Sequence, residues 1–478
     1  MRLTQALRLD NSTRLALVGA GGKTAALFTL GRELLIPRPV TQAQATLLRS
    51  PVNVIPLASR EASTDRTVLL TATTHLATQQ LELADRHYFL HREADLEELT
   101  DELPAGMLLF TGPPENDART AGLPEKLIDR LHSLANRIQA PLLVEADGSR
   151  QLPLKAPAEH EPVIPDWVNT VVVVAGLSAL GKPLNNQWVH RPEIFSRLAG
   201  LDLEASVTPD GLGRMLCHPQ GGLKSIPPNA RRIVLLNQAG TAELQAVAQR
   251  QARQLLTQYA SVVVADLPSP DLRAGEENRT SVIAVHERRA GVILAAGGAR
   301  RMGQPKQTLI WRGQPLVRHV AQTALEAGLD SIIVVTGSAA DQVEAAVGGL
   351  PVQVVNNPEW QAGQSSSVKC GLGVLPAETG AAIFLLADQP QTPAGLVASL
   401  VEAHAATLSP LVAPLVQGQR ANPVLFDRVT FTELLSLSGD QGGRAMFARY
   451  PVHWVPWHDP GVLEDIDTPE DFQRLLDT

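Results

Sequence analysis

The sequence predicts an α/β protein of two domains, and three observations carry that prediction. The first is size: 478 residues exceed what one hydrophobic core usually organises. The second is a pair of places where a short apolar run empties into a glycine-rich loop bearing lysine, GAGGKT at 19–24 and LAAGGARRMGQPKQTL at 294–309. The third is a regular alternation of apolar, strand-like runs with helical stretches from residue 290 onward. Such alternation means βαβ units and a mainly parallel, Rossmann-like sheet with helices on both faces.

The N-terminal region comes first. Residues 15–18 are an apolar run that reads as a strand, followed by Gly19, Gly21, Gly22, Lys23 and Thr24 and an amphipathic stretch to about Leu35. Strand, glycine turn, Lys-Thr, helix is the layout of a P-loop: N–H groups and a helix N-terminus face phosphate, the lysine reaches it, and the threonine can hold magnesium. The spacing departs from the usual motif, which wants glycine where Leu17 stands. Residues 36–66, rich in Pro, Ser, Gln and Thr, read as a long loop or insertion. A strand over 68–70 runs into TATTH, whose hydroxyls suit either phosphate contact or N-capping. Residues 107–110 read as a strand and 124–137 as a helix with Leu127, Ile128, Leu131 and Leu134 on one face. The run 142–144 ends in EADGSR, so Glu145 and Asp147 project from the carboxyl end of a buried strand, where an α/β sheet places its chemistry. Asp147 is the candidate carboxylate beside Lys23 and Thr24. His190 opens a short helix at HRPE, and Asn237 ends a later strand as a polar side chain placed to read a ligand.

Residues 267–289 combine Pro, Gly and charge with little periodicity, which marks a linker between domains at 1–266 and 290–478. Beyond it, strand-like runs fall at 291–294, 331–335, 352–355, 381–386 and 411–414. The loop after the first carries Ala295, Ala296, Gly297, Gly298, Arg301 and Lys306. Glycines let backbone N–H groups approach phosphates and fixed cations neutralise them, so this loop suits a nucleoside triphosphate. Asp388 lies just past the tip of the 381–386 strand, placed to hold Mg²⁺ against a triphosphate. In DIDTPEDF, Asp467 precedes a Thr-Pro-Glu helix start, and capping and metal ligation are both open to it. Three small polar loops, at 363–367 (with Ser366), 418–423 and 439–444, offer N–H and hydroxyl donors to a base, sugar or second phosphate.

Composition narrows the class. An apolar content of 44%, a charged content of 19% and a net charge of −8 fit a folded protein and argue against a nucleic-acid binder. Two cysteines far apart predict no disulfide framework and a reducing, cytoplasmic setting. No apolar run approaches bilayer length, and the N-terminus lacks the pattern of a signal peptide.

GAGGKT, EADGSRQLPLKAPAEHEPVIP, GLSALGKPL with HRPEIF, and VLLNQAG together resemble the YqeC-like accessory family of selenium-dependent molybdenum hydroxylases, over about residues 10–265. The resemblance implies a P-loop-like domain that binds nucleotide. Two departures stand out: the 36–66 segment is longer than the family pattern, and Gln238 follows Asn237 where lysine is common.

LAAGGARRMGQPKQTL, NNPEWQAGQSSSVKCGL, LLADQPQTP, GQRANPVLF, GDQGGR and DIDTPEDF, in that order, resemble the molybdenum cofactor cytidylyltransferase group of MobA-like nucleotidyltransferases, over about 290–478. The resemblance implies a nucleotidyltransferase fold and a reaction in which CMP passes from CTP to Mo-molybdopterin. It implies triphosphate binding by Gly297, Gly298, Arg301 and Lys306, and Mg²⁺ binding by Asp388 and Asp467. The 365–367 and Asn422 loops would face nucleotide and cofactor. LAAG and the Pro-Lys pair favour CTP over the GTP of guanylyl-transferring relatives. GTP, ATP or a sugar phosphate acceptor remain open, as does a non-catalytic cofactor carrier. A molybdenum hydroxylase would be the client protein.

Overall fold

The computed structural model describes residues 1–36, 66–97, 103–268, 282–298 and 302–477. They fall into two compact units that divide between His286 and Glu287. Most of the 36–66 segment, much of the 267–289 stretch, and Arg301 lie outside the described residues.

The N-terminal unit is built on strands β1 (Arg14–Gly19), β2 (Thr67–Ala72), β3 (Arg86–Phe89), β4 (Gly106–Thr111), β5 (Leu142–Glu145), β6 (Thr170–Gly176), β7 (Arg231–Asn237) and β8 (Ser261–Ala265). They pair in the order β3-β4-β2-β5-β1-β6-β7-β8, every pairing parallel. β1, β5 and β6 are buried along almost their whole length. That is why they read as unbroken apolar runs: a parallel sheet covered on both faces has no polar side to alternate with. β1 lies between β5 and β6, so the chain reverses its direction of travel across the sheet at β1. The crevice at the carboxyl ends of such strands is where open α/β sheets bind ligands. Helix α1 (Lys23–Leu35) leaves directly from the loop after β1. Helix α2 (Glu125–Arg137) buries Leu127, Ile128, Leu131 and Leu134, with Glu125 favourably placed in its first turn. Helix α3 (Pro192–Ala199) begins on Pro192, whose fixed φ and missing N–H suit a first helical position.

The C-terminal unit is built on β9 (Val282–Leu294), which enters it at Glu287, and on β10 (Ser331–Thr336), β11 (Gln353–Asn356), β12 (Thr379–Leu386), β13 (Leu411–Val416), β14 (Val424–Asp427) and β15 (Val452–Trp457). Their order is β11-β10-β9-β12-β14-β13-β15, with β14 alone antiparallel to its neighbours. The sheet is mainly parallel, as the alternation predicts. β9 begins at Val282 rather than Gly291. Its first half carries His286, Glu287, Arg288 and Arg289, and these charges hide the strand from a reading based on apolar runs. Glu287 and Arg289 are nonetheless buried. β15 escapes the same reading because HWVPW is a half-exposed edge strand containing proline. Helix α4 (Gln364–Gly373) starts directly after Gly363, so residues 364–367, including Ser366, form its first turn rather than the polar loop the sequence suggests, and helix α5 (Pro469–Leu476) closes the unit. Cys217 and Cys370 are both free thiols. Among the described residues no helix is long and apolar enough to cross a membrane.

Candidate functional site

In the N-terminal unit the loop after β1 turns through Gly19, Gly21 and Gly22, all at positive φ. The φ values explain the glycines only in part. A Cβ on Gly19 would collide with the Val174 carbonyl, and one on Gly21 with the backbone of Gly176. The loop is therefore clamped against β6. Lys23, the first residue of α1, turns back under it and donates to the Gly19 carbonyl at 2.8 Å. Its ammonium lies 3.3 Å from Asp147 and 3.7 Å from Glu145.

Asp147 is central to a buried ladder of alternating charge. It accepts from the Gly19 N–H at 3.1 and 3.0 Å and pairs with Lys155 at 2.8 Å. Lys155 in turn pairs with Glu161 at 2.8 Å, and Glu161 with Arg191 at 2.7 Å. Three carboxylates thus alternate with three cations, so burial leaves no net charge uncompensated. Burial works to raise the Glu161 carboxyl, but hydrogen bonds and charge from Arg191 and Lys155 outweigh it and bring it down to about 2. Burial, then the charges of Arg191, Lys155 and Arg150, push His190 down to about 4, so it is neutral near pH 7. The carboxylate that touches Thr24 is Glu145, which accepts from the threonine hydroxyl at 3.1 Å. Burial pushes this carboxyl up, against the pull of Lys23 and Thr24.

Asn237 is engaged within the protein. Its amide donates to the Gly21 carbonyl at 2.7 Å, its oxygen accepts from the Leu267 N–H at 2.9 Å, and it is buried. It pins the glycine loop from β7. In TATTH, Thr73 leans its N–H on the Glu145 carbonyl and Thr71 is buried. Lys155, Glu161 and Arg191 are absent from the candidates read in the sequence. The EADGSR to EPVIP block contains the first two, but only the fold reveals that they reach Asp147 and each other.

In the C-terminal unit, β9 and β12 are neighbours with Leu294 opposite Leu386, so the glycine loop and Asp388 leave adjacent strand ends. The side chain of Gln307 donates to the carbonyls of Ala295 and Gly297 at 3.2 and 2.8 Å, and the Ser338 hydroxyl also donates to Gly297 at 2.8 Å. These bonds fix the loop. A Cβ on Gly298 would lie 3.0 Å from the Trp360 ring, so glycine lets the loop close onto that side chain. Lys306 bonds to Asp388 and, at 2.8 Å, to Asp467. Burial lowers the Lys306 ammonium, but the two carboxylates outweigh it and the net shift is upward.

Asp467 is not the helix cap. Thr468 fills that role by accepting from the Asp471 N–H, and the Asp471 carboxylate returns bonds to the N–H groups of Thr468 and Asp467. Asp467 is thereby left to meet Lys306. Asp465 stands nearby, bonded to Gln389 at 2.6 Å. Burial, then the charge of Asp388, push its carboxyl up, and Asp467 adds to this. Asp388 and Asp467 thus converge on one ammonium, and among the described residues no group of three or more His, Cys, Asp or Glu side chains is placed to hold a metal ion. Ser366 is engaged within the protein: its hydroxyl accepts from Asn357 at 2.8 Å and donates to the Gly363 carbonyl at 2.8 Å.

Comparison with known proteins agrees with this division. The MobA-like NTP transferase domain profile matches residues 291–454, and the YqeC profile matches residues 54–193. The chain is 32% identical over 254 residues to the uncharacterised protein YqeC of Escherichia coli, covering 52% of this chain and 84% of that one. It is 33% identical over 196 residues to nicotine blue oxidoreductase of Paenarthrobacter nicotinovorans, covering 39% and 95%. It is also 32% identical over 204 residues to the purine catabolism protein PucB of Bacillus subtilis, covering 39% and 94%. A crystal structure of Rv0371c from Mycobacterium tuberculosis, 29% identical, aligns over 40% of this chain and 98% of its own with a TM-score of 0.37. By the profile match over 291–454, the C-terminal half is a domain of the nucleotidyltransferase class. The chain belongs to the MobA-like NTP transferase family through that half and to the YqeC family through its N-terminal half.

Proposed function

We propose that the protein is a molybdenum cofactor cytidylyltransferase. It transfers CMP from CTP to Mo-molybdopterin, giving molybdopterin cytosine dinucleotide and pyrophosphate. The observation that carries this reading is the Lys306 ammonium held between Asp388 and Asp467 where the order of strands reverses. An oxygen of the acceptor's terminal phosphate attacks the α-phosphorus of CTP. The new P–O bond forms as the bond to the bridging α–β oxygen breaks, and pyrophosphate leaves. No general base is required, because a phosphate monoester is already ionised at pH 7. Catalysis is then a matter of position and charge. Gly297 and Gly298 cradle the triphosphate, and Lys306 turns from its carboxylates to the α-phosphoryl oxygens. Asp388 and Asp467 would hold a divalent cation, Mg²⁺ in this reading, which when bound neutralises charge between the two phosphates. LAAG and the Pro-Lys pair support cytosine.

The N-terminal unit, in the same reading, is a nucleotide-binding accessory domain acting through Gly19, Gly21, Gly22, Lys23, Thr24 and Asp147 in molybdenum hydroxylase maturation. The test of the whole is a panel of CTP, GTP and ATP with the purified full chain, each with and without Mo-molybdopterin. Pyrophosphate should appear only with CTP and cofactor together. Equal use of GTP, or no release with CTP and cofactor, sinks the assignment.

A further inference from the structure

Nucleotidyl transfer must bring two polyanions into contact. Lys306 and the glycine loop serve one of them, and the acceptor needs cations of its own. The fold supplies a pair. β13 runs in the same direction as β12, because β14 is antiparallel to both. Its end at Val416 therefore lies on the same sheet edge as Asp388. The chain then doubles back, with Leu415 opposite Arg420, before passing Asn422 into β14.

Three loops far apart in sequence meet here. Gly363 has no room for a Cβ because the Gly439 backbone is packed against it, and the Ser365 N–H donates to the Gly439 carbonyl at 3.2 Å. Gly443 packs on the Phe426 ring. The Arg420 guanidinium lies 4.4 Å from the centre of the Phe447 ring, and Arg444, three residues before Phe447, is exposed. Burial, then the like charge of Arg444, lower the Arg420 guanidinium from its ordinary value. Among the described residues neither arginine has a carboxylate partner. Two guanidinium groups that repel one another, one of them over an aromatic ring and neither neutralised by a carboxylate, leave N–H donors for an oxyanion.

We propose that Arg420 and Arg444 form a dianion-binding subsite for the phosphomonoester of the acceptor, on the far side of Asp388 from the glycine loop. This rests on the nucleotidyl-transfer reading for the identity of the acceptor, and on geometry alone for the anion.

The test titrates the full chain calorimetrically with phenyl phosphate and, separately, with CTP plus Mg²⁺. Arg444→Ala and Arg420→Ala should each weaken phenyl phosphate binding at least tenfold and leave CTP affinity within twofold. Arg444→Lys, which keeps charge but loses the guanidinium, should fall between. Arg444 is exposed, so its variants test the idea even if Arg420→Ala fails to fold. Unchanged phenyl phosphate affinity in the Arg444 variants overturns the proposal, as do an equal loss of CTP affinity and an absence of phenyl phosphate binding by the unmodified chain. Arginine-dependent phenyl phosphate binding without CTP binding supports the subsite while removing the nucleotidyl-transfer reading.

Discussion

Asp147→Asn is the most searching single perturbation of the N-terminal unit. One carboxylate serves two ammonium groups there, 3.3 Å from Lys23 and 2.8 Å from Lys155, and also accepts twice from the Gly19 N–H. All three side chains are at most 2% exposed, so solvent cannot replace what is lost. Asparagine preserves shape but turns a balanced ladder into one with a surplus buried cation. Breaking a buried pair by removing one partner costs about 3–5 kcal/mol. Lys155 keeps Glu161 and the Gly148 carbonyl, and Lys23 keeps the Gly19 carbonyl, which places the expected loss near the lower bound, about 3 kcal/mol. At roughly 2–4 °C per kcal/mol for a domain of this scale, the thermal midpoint should fall by about 6–12 °C. Thermal unfolding of the full chain at pH 7, followed by circular dichroism, measures it. Adding Lys155→Met to Asp147→Asn should restore part of the loss, since it removes one of the stranded charges. A midpoint within about 2 °C of the unmodified chain, by the same scaling, would refute the idea that the ladder is balanced through Asp147.

Other outcomes follow from the same geometry. Lys306→Ala should reduce CTP turnover about 10²-fold or more, the scale of losing one preorganised charge stabiliser, and near-normal turnover in a pyrophosphate-release assay would remove its catalytic role. Lys23→Ala should abolish ATP or GTP binding to the N-terminal unit by equilibrium dialysis; retained binding would end the P-loop reading. The pH dependence of stability has two windows. His190 has its folded value depressed from 6.5 to about 4, so the unfolded chain binds the proton first and stability falls as pH drops from about 6.5 to about 4. Glu161, depressed from 4.5 to about 2, contributes stability that is present above 4.5 and lost as pH falls towards 2. Unfolding midpoints across pH 2–8 should show both, and Glu161→Gln should remove the lower one while extending the upper one to lower pH, because the Glu161 charge works to raise His190.

Much of this protein was determined locally. Strands buried on both faces, such as β1, β5 and β12, must be apolar along their length, and glycine-lysine loops at their ends betray themselves by residue type. Family membership, the alternation of elements and the placing of Lys306 and Asp388 were legible for that reason. Where local rules fail, a side chain's partner is distant in sequence. Asp467 could cap or bind until Thr468 and Asp471 closed the cap between them and left it to Lys306, 161 residues away. Asn237 had the composition of a ligand reader until the fold consumed its amide on Gly21 and Leu267. The charged half of β9 looked like linker because burial of Glu287 and Arg289 is a tertiary decision, made by what packs around them. Residue type fixes what a group is able to do, and only the fold decides which groups stand within a few ångströms of it.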